Sequence, residues 1–139
     1  MILADSNVLL DVITADPQWC RWSLAALDDW ARRGPILVNP LVYAEIAPAY
    51  DTMEALDAAI EAVGIEFREF PRAALFLASR AFVRYRRRGG SRQGVLPDFF
   101  VGAHAAVLDI PLLTRDTHRY RAYFPTLRLV TPAPRLHAG

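Results

Sequence analysis

The sequence predicts an α/β domain, a parallel sheet of about five strands flanked by helices on both faces. Two observations carry this. Short apolar runs at 2–4, 36–39, 112–114 and 127–131 are separated by longer stretches of helical character, and near-continuous apolar strands belong to parallel sheets buried on both faces. The chain has 139 residues, 53% of them hydrophobic, which suits one domain whose core needs no disulfide or structural metal.

In chain order, Ile2-Leu3-Ala4 forms the first strand. Asp16-Pro17 sets an N-cap residue before a proline at the first helical position and opens a helix over 17–33. That helix carries two apolar stripes, Trp19, Trp22, Ala26 and Trp30, and beside it Cys20, Leu24, Leu27 and Ala31. They span about half the circumference, against roughly 100° for an ordinary amphipathic helix, so a partner surface is expected there, with deep core packing of the same helix as the alternative. A strand at 36–39 follows, and Asn39-Pro40 repeats the cap-and-proline signal for a helix over 40–50, which Pro48 should break or kink. Met53, Leu56, Ile60 and Val63 stripe a helix over 53–63 that Gly64 can end. An alternating edge strand is expected at 65–70, helices at 71–88 and 97–108, and strands at 112–114 and 127–131. The domain is thus 1–131, and the Pro-rich residues 132–139 read as a flexible tail.

All 16 basic residues are arginine, which excludes any mechanism that needs a catalytic lysine. Six arginines fall between Arg80 and Arg92, and Arg80, Arg84, Arg87 and Arg88 share one helical stripe. A solvated face is the plain reading. The functional one is a phosphate-binding track of Arg84, Arg87, Arg88 and Arg92, with Gly89 to Gly94 as a mobile loop. Cys20 is the only cysteine, so there is no internal disulfide and no zinc site of several cysteines, which fits a reducing cytoplasm. No cleavable signal opens the chain, and no apolar stretch approaches the roughly 20 residues of a membrane span.

Four acids, Asp5, Glu45, Asp98 and Asp116, lie just after strands or early in helices, where an open α/β sheet binds its ligands. Brought together they repel, by about 4 kcal/mol per pair at 4 Å and an effective dielectric of 20. Such a cluster needs a cation, and oxygen-only ligands select Mg²⁺, with Mn²⁺ as a substitute. Any one of these acids alone is as well explained as a cap or surface charge. Asp11 reads as a local cap or rim charge, and His104, His118 and His137 as packed or rim residues. Gly102 and Ala103 suit close packing of their helix on the sheet.

Receiver domains and haloacid-dehalogenase-type phosphatases also place acids and Mg²⁺ at such an edge, but both require a lysine. The segments Leu3-Ala4-Asp5-Ser6-Asn7-Val8-Leu9-Leu10, Val38-Asn39-Pro40-Leu41-Val42-Tyr43-Ala44-Glu45, Leu96-Pro97-Asp98-Phe99-Phe100-Val101-Gly102-Ala103-His104-Ala105 and Leu112-Leu113-Thr114-Arg115-Asp116 instead resemble the PIN-domain ribonucleases. The likeness is greatest to the VapC toxins of toxin–antitoxin modules. It implies a single PIN-like domain whose catalytic and metal-binding acids are Asp5, Glu45, Asp98 and Asp116, with Asn7 and Thr114 supporting them. It also implies Mg²⁺-dependent endonucleolytic cleavage of RNA, a homodimer, and neutralisation by a VapB-like antitoxin that folds on binding. Pro48 is unusual for the family. The alternative is an inactive PIN-fold module that binds RNA or protein and holds a structural ion.

Overall fold

A computed structural model describes residues 1–90 and 96–133. In chain order its elements are β1 (Ile2–Ala4), α1 (Ser6–Ile13), α2 (Cys20–Arg33), β2 (Ile36–Val38), α3 (Pro40–Ile46), a 3₁₀ turn (Ala47–Ala49), α4 (Met53–Ala62), β3 (Ile65–Phe67), α5 (Arg72–Arg87), α6 (Leu96–Leu108), β4 (Leu112–Leu113), α7 (Thr117–Tyr123) and β5 (Leu129–Val130). The strands form one five-stranded sheet in the order β3-β2-β1-β4-β5. Every pairing is parallel, with Leu3 opposite Leu37 on one side and Leu112 on the other.

The apolar runs behave as their composition requires. β1, β2 and β4 are buried along their whole length, and the two outer strands are not. β3, the predicted edge strand, exposes Glu66 and Phe67. Side chains of Val8, Val42, Ile46, Leu56, Ile60, Phe99, Val101 and Tyr120 close over the sheet.

Two helices lie where the sequence pattern predicts none. α1 is short and carries the β-branched residues Val8, Val12 and Ile13, which weaken its intrinsic preference. Its start is set by the Asp5 side chain, which caps the Ser6 N–H at 2.8 Å. α7 is only seven residues long and is capped by Asp116. The helix expected from residue 17 begins at Cys20, because Asp16 Oδ1 accepts from the Gln18 and Trp19 N–H groups and holds a turn before it. Pro48 does interrupt its helix, at the 3₁₀ turn that follows α3.

Both apolar stripes of α2 contribute to the core. Trp22, Ala26 and Trp30 are partly buried and pack against the core. Of the second stripe, Leu27 also packs against the core, while Leu24 is 53% exposed. Gly102 serves α7 rather than the sheet, since a Cβ there would stand 2.5 Å from the Phe124 ring and 3.2 Å from Tyr120. No helix among the described residues is long and apolar enough to cross a membrane.

Candidate acidic site

The sheet order reverses between β1 and β4, and ligands of open α/β folds bind beyond the carboxyl ends of strands at such a switch point. Asp5 leaves the end of β1 there and Thr114 leaves the end of β4. Asp5 is 5% exposed, and both of its carboxylate oxygens accept hydrogen bonds. Its Oδ2 accepts from Thr114 Oγ1 at 2.8 Å and from the Tyr120 hydroxyl at 3.0 Å, and its own N–H bonds the Leu113 carbonyl. Thr114 also accepts from the Asp116 N–H at 3.0 Å. Asn7 completes the frame, with its Nδ2 3.3 Å from Thr114 Oγ1 and its Oδ1 accepting from the Arg115 N–H at 3.2 Å. The two predicted supporting residues are thus in contact with Asp5 and with each other.

The remaining acids differ in environment. Glu45, on α3, is exposed but close enough to Asp5 to feel its charge and to bond Ser6. Asp116 caps α7 and stands 3.8 Å from the Nε of Arg119. Asp98, in the first turn of α6, is ion-paired to the other end of the same guanidinium. Arg119 and Tyr120 were not picked out from the sequence. Their only local signal is position, three and four residues after Asp116 on one turn of helix.

Burial pushes the Asp5 carboxyl above its ordinary range, and the Asp116 charge adds to that, against the lowering by its hydrogen bonds. The Glu45 carboxyl is raised by partial desolvation, although the residue as a whole is exposed, and then by the Asp5 charge. Tyr120 is held well above the usual phenol value, chiefly by burial and then by the Asp5 charge, so it remains a neutral donor to Asp5. The donor set suits a hard divalent ion, since it is all oxygen and the carboxylates oppose one another's ionisation. As the side chains stand, no three acidic, histidine or cysteine residues among those described come close enough to hold one ion. Asp98 and Asp116 are engaged by Arg119 instead.

A pH effect follows. An acid whose folded pKa is raised stabilises the fold below its unfolded value, and that contribution is lost as pH rises through the folded value. In metal-free buffer the melting temperature of Asp5→Asn should therefore gain on the parent as pH climbs from about 3.8, the ordinary aspartate value. A gap between the two that stays constant with pH would show that the Asp5 charge carries no such cost.

The other predicted residues lie elsewhere. Arg84, Arg87 and Arg88 are exposed at the end of α5, and Arg92 and the Ser91–Gly94 part of the expected loop fall outside the described residues, as do His137 and most of the tail. His104 is fully buried, packed 5.1 Å from the Phe70 ring with Nδ1 3.3 Å from Asn39 Nδ2. Asp11 is corrected. It is no rim charge but is 3% exposed, bound by Arg115 through two nitrogens at 2.7 and 2.9 Å and by the Ser23 hydroxyl at 2.7 Å.

A single parallel α/β domain with an acidic cluster at its switch point defines the class. The family model for the PIN domain matches residues 2–125, and the chain belongs to that family. No curated protein matches the chain. Among solved structures it is similar to VapBC2 from Rickettsia felis bound to a DNA fragment from its promoter, at 18% identity and a TM-score of 0.72, over 96% of this chain and 100% of that one. A toxin–antitoxin complex from Klebsiella pneumoniae is similar at 20% identity and 0.69, over 96% and 98%. FitAcB from Neisseria gonorrhoeae is similar at 18% and 0.63, over 93% and 96%.

Proposed function

We propose that this chain is a Mg²⁺-dependent endoribonuclease acting as the toxin of a VapBC-type module. The observation that carries the reading is the frame around Asp5, in which Asn7, Thr114 and Tyr120 all converge on one buried carboxylate beside Glu45 and Asp116. Asp5, Glu45, Asp98 and Asp116 would hold the ion. When bound, Mg²⁺ supplies Lewis-acid stabilisation of the scissile phosphate and lowers the pKa of water for in-line attack. The chain's own work is positional. Thr114 and the neutral Tyr120 fix Asp5 by donating to Oδ2, and Asn7 ties that carboxylate to the β4–α7 connection. Incubation with total RNA, with and without Mg²⁺, tests this by mapping new 5′ ends. The inactive-module alternative draws on the pairing of Asp98 with Arg119, and it expects no Mg²⁺-dependent ends.

For an antitoxin, an apolar groove of about 510 Å³ runs between α1, α2 and α4 past Leu9, Ile13, Leu24, Leu27, Ala59 and Val63. It suits the apolar side of a short segment that folds on docking. The likeness to solved toxin–antitoxin complexes supports this partner, and the resemblance to VapC toxins supports a homodimer.

RNA has to reach an acidic site, so a basic approach is needed. Arg80, Arg84 and Arg87 line an open groove on α5 with Phe76 and Val83, while Arg88 flanks the cleft toward α7. Replacing Arg84, Arg87 and Arg88 by glutamine should weaken RNA binding and flatten its salt dependence, by about 1 in log–log slope for each phosphate no longer neutralised, with Mg²⁺ affinity retained. An unchanged slope would leave the stripe as a solvated face or, if pull-down then fails, an antitoxin contact.

A further inference from the structure

The compensation of charge in the acidic site is uneven. Asp5 and Glu45 form no ion pair among the described residues, whereas Asp98 and Asp116 share the guanidinium of Arg119. That guanidinium is built in. Its residue sits in α7 with its own N–H on Asp116 Oδ1 at 3.3 Å, so backbone and side chain address the same carboxylate. Arg119 is only 21% exposed, and Asp98 24% and Asp116 35%, so these pairs are screened less than surface ones.

We propose that Arg119 is the resident counter-cation of the site. It neutralises Asp98 and Asp116 while no metal is bound, and a divalent ion has to displace it to reach Asp98. The inference rests on the metal-site reading above. Arginine does not lose its proton in proteins, so Arg119 cannot yield by titration and has to swing out on its stem. Metal affinity is then set by a contest, one half of the site standing ready and the other closed by the chain itself.

Direct Mn²⁺ binding to the whole chain without RNA, by calorimetry or by the EPR signal of free Mn²⁺, tests this. Arg119→Gln should bind about tenfold tighter than the parent, through removal of a competing charge-assisted bond. It should also melt lower without metal and gain more on Mn²⁺ addition. Arg119→Lys keeps the charge without the fork that reaches both carboxylates, so its affinity should fall between the two. Should the glutamine variant fail to fold, the lysine variant decides alone, tighter binding than the parent supporting the proposal. Measurable Mn²⁺ binding by the parent, with equal or weaker binding by both folded variants, overturns the proposal and leaves the metal site standing. Absence of binding by parent and variants alike overturns the metal site and the proposal with it.

Discussion

Asp5→Asn and Asp98→Asn are each expected to reduce RNA cleavage by more than about a hundredfold while the protein stays folded. Loss of an outer partner of a metal ligand already costs about 10- to 100-fold, and these variants remove an anionic ligand itself. The two should differ in stability. Asp5 is buried with its carboxyl pushed upward, and an amide oxygen can still accept from Thr114 and Tyr120, so the asparagine variant relieves a desolvated charge. Asp98 is partly exposed and paired, so its asparagine variant loses the charge that Arg119 neutralises and melts slightly lower without metal. RNA cleavage followed beside thermal melts separates these effects. Full activity in both folded variants would remove these acids from catalysis.

Most of the sheet was legible because its central strands are short uninterrupted apolar runs, a pattern that only burial on both faces explains. The place of Asp5 just past the first strand was legible too, whereas the contacts of Asn7 and Thr114 with it were suggested only by the resemblance. α1 and α7 were not. Their residues have modest helix preference, and what fixes them is a capping carboxylate plus packing against elements far away in the chain. Arg119 and Tyr120 were missed for a related reason, because their partners Asp98 and Asp5 are 21 and 115 residues distant. The tryptophans of α2 left two readings open. An apolar arc wider than a core contact needs does not say which half faces inward, and Trp22 and Trp30 of one stripe and Leu27 of the other all pack in part against the core.

Asp11 makes the largest stability prediction. Its carboxylate accepts from Arg115 Nε and Nη2 and from Ser23, and the Arg115 guanidinium also lies 5.0 Å from the Trp19 ring. This ties α1 and α2 to the residue between Thr114 and Asp116, so a brace of the fold is also a brace of the acidic site. Asp11→Ala leaves the guanidinium with no acceptor in a place where water reaches it only in part, Arg115 being 27% exposed. Breaking a buried pair from one side costs about 3 kcal/mol, which for a domain of this size lowers the melting temperature by roughly 10 °C. The source of the loss can be separated from the pair's net worth. Replacing both partners, as Asp11→Leu with Arg115→Met, removes the stranded charge and should recover most of the stability. Melts of the parent, the single and the double variant form the check. A single variant within about 1 kcal/mol of the parent would show that Arg115 finds water as readily as it finds Asp11, and the brace would then be no more than a surface pair.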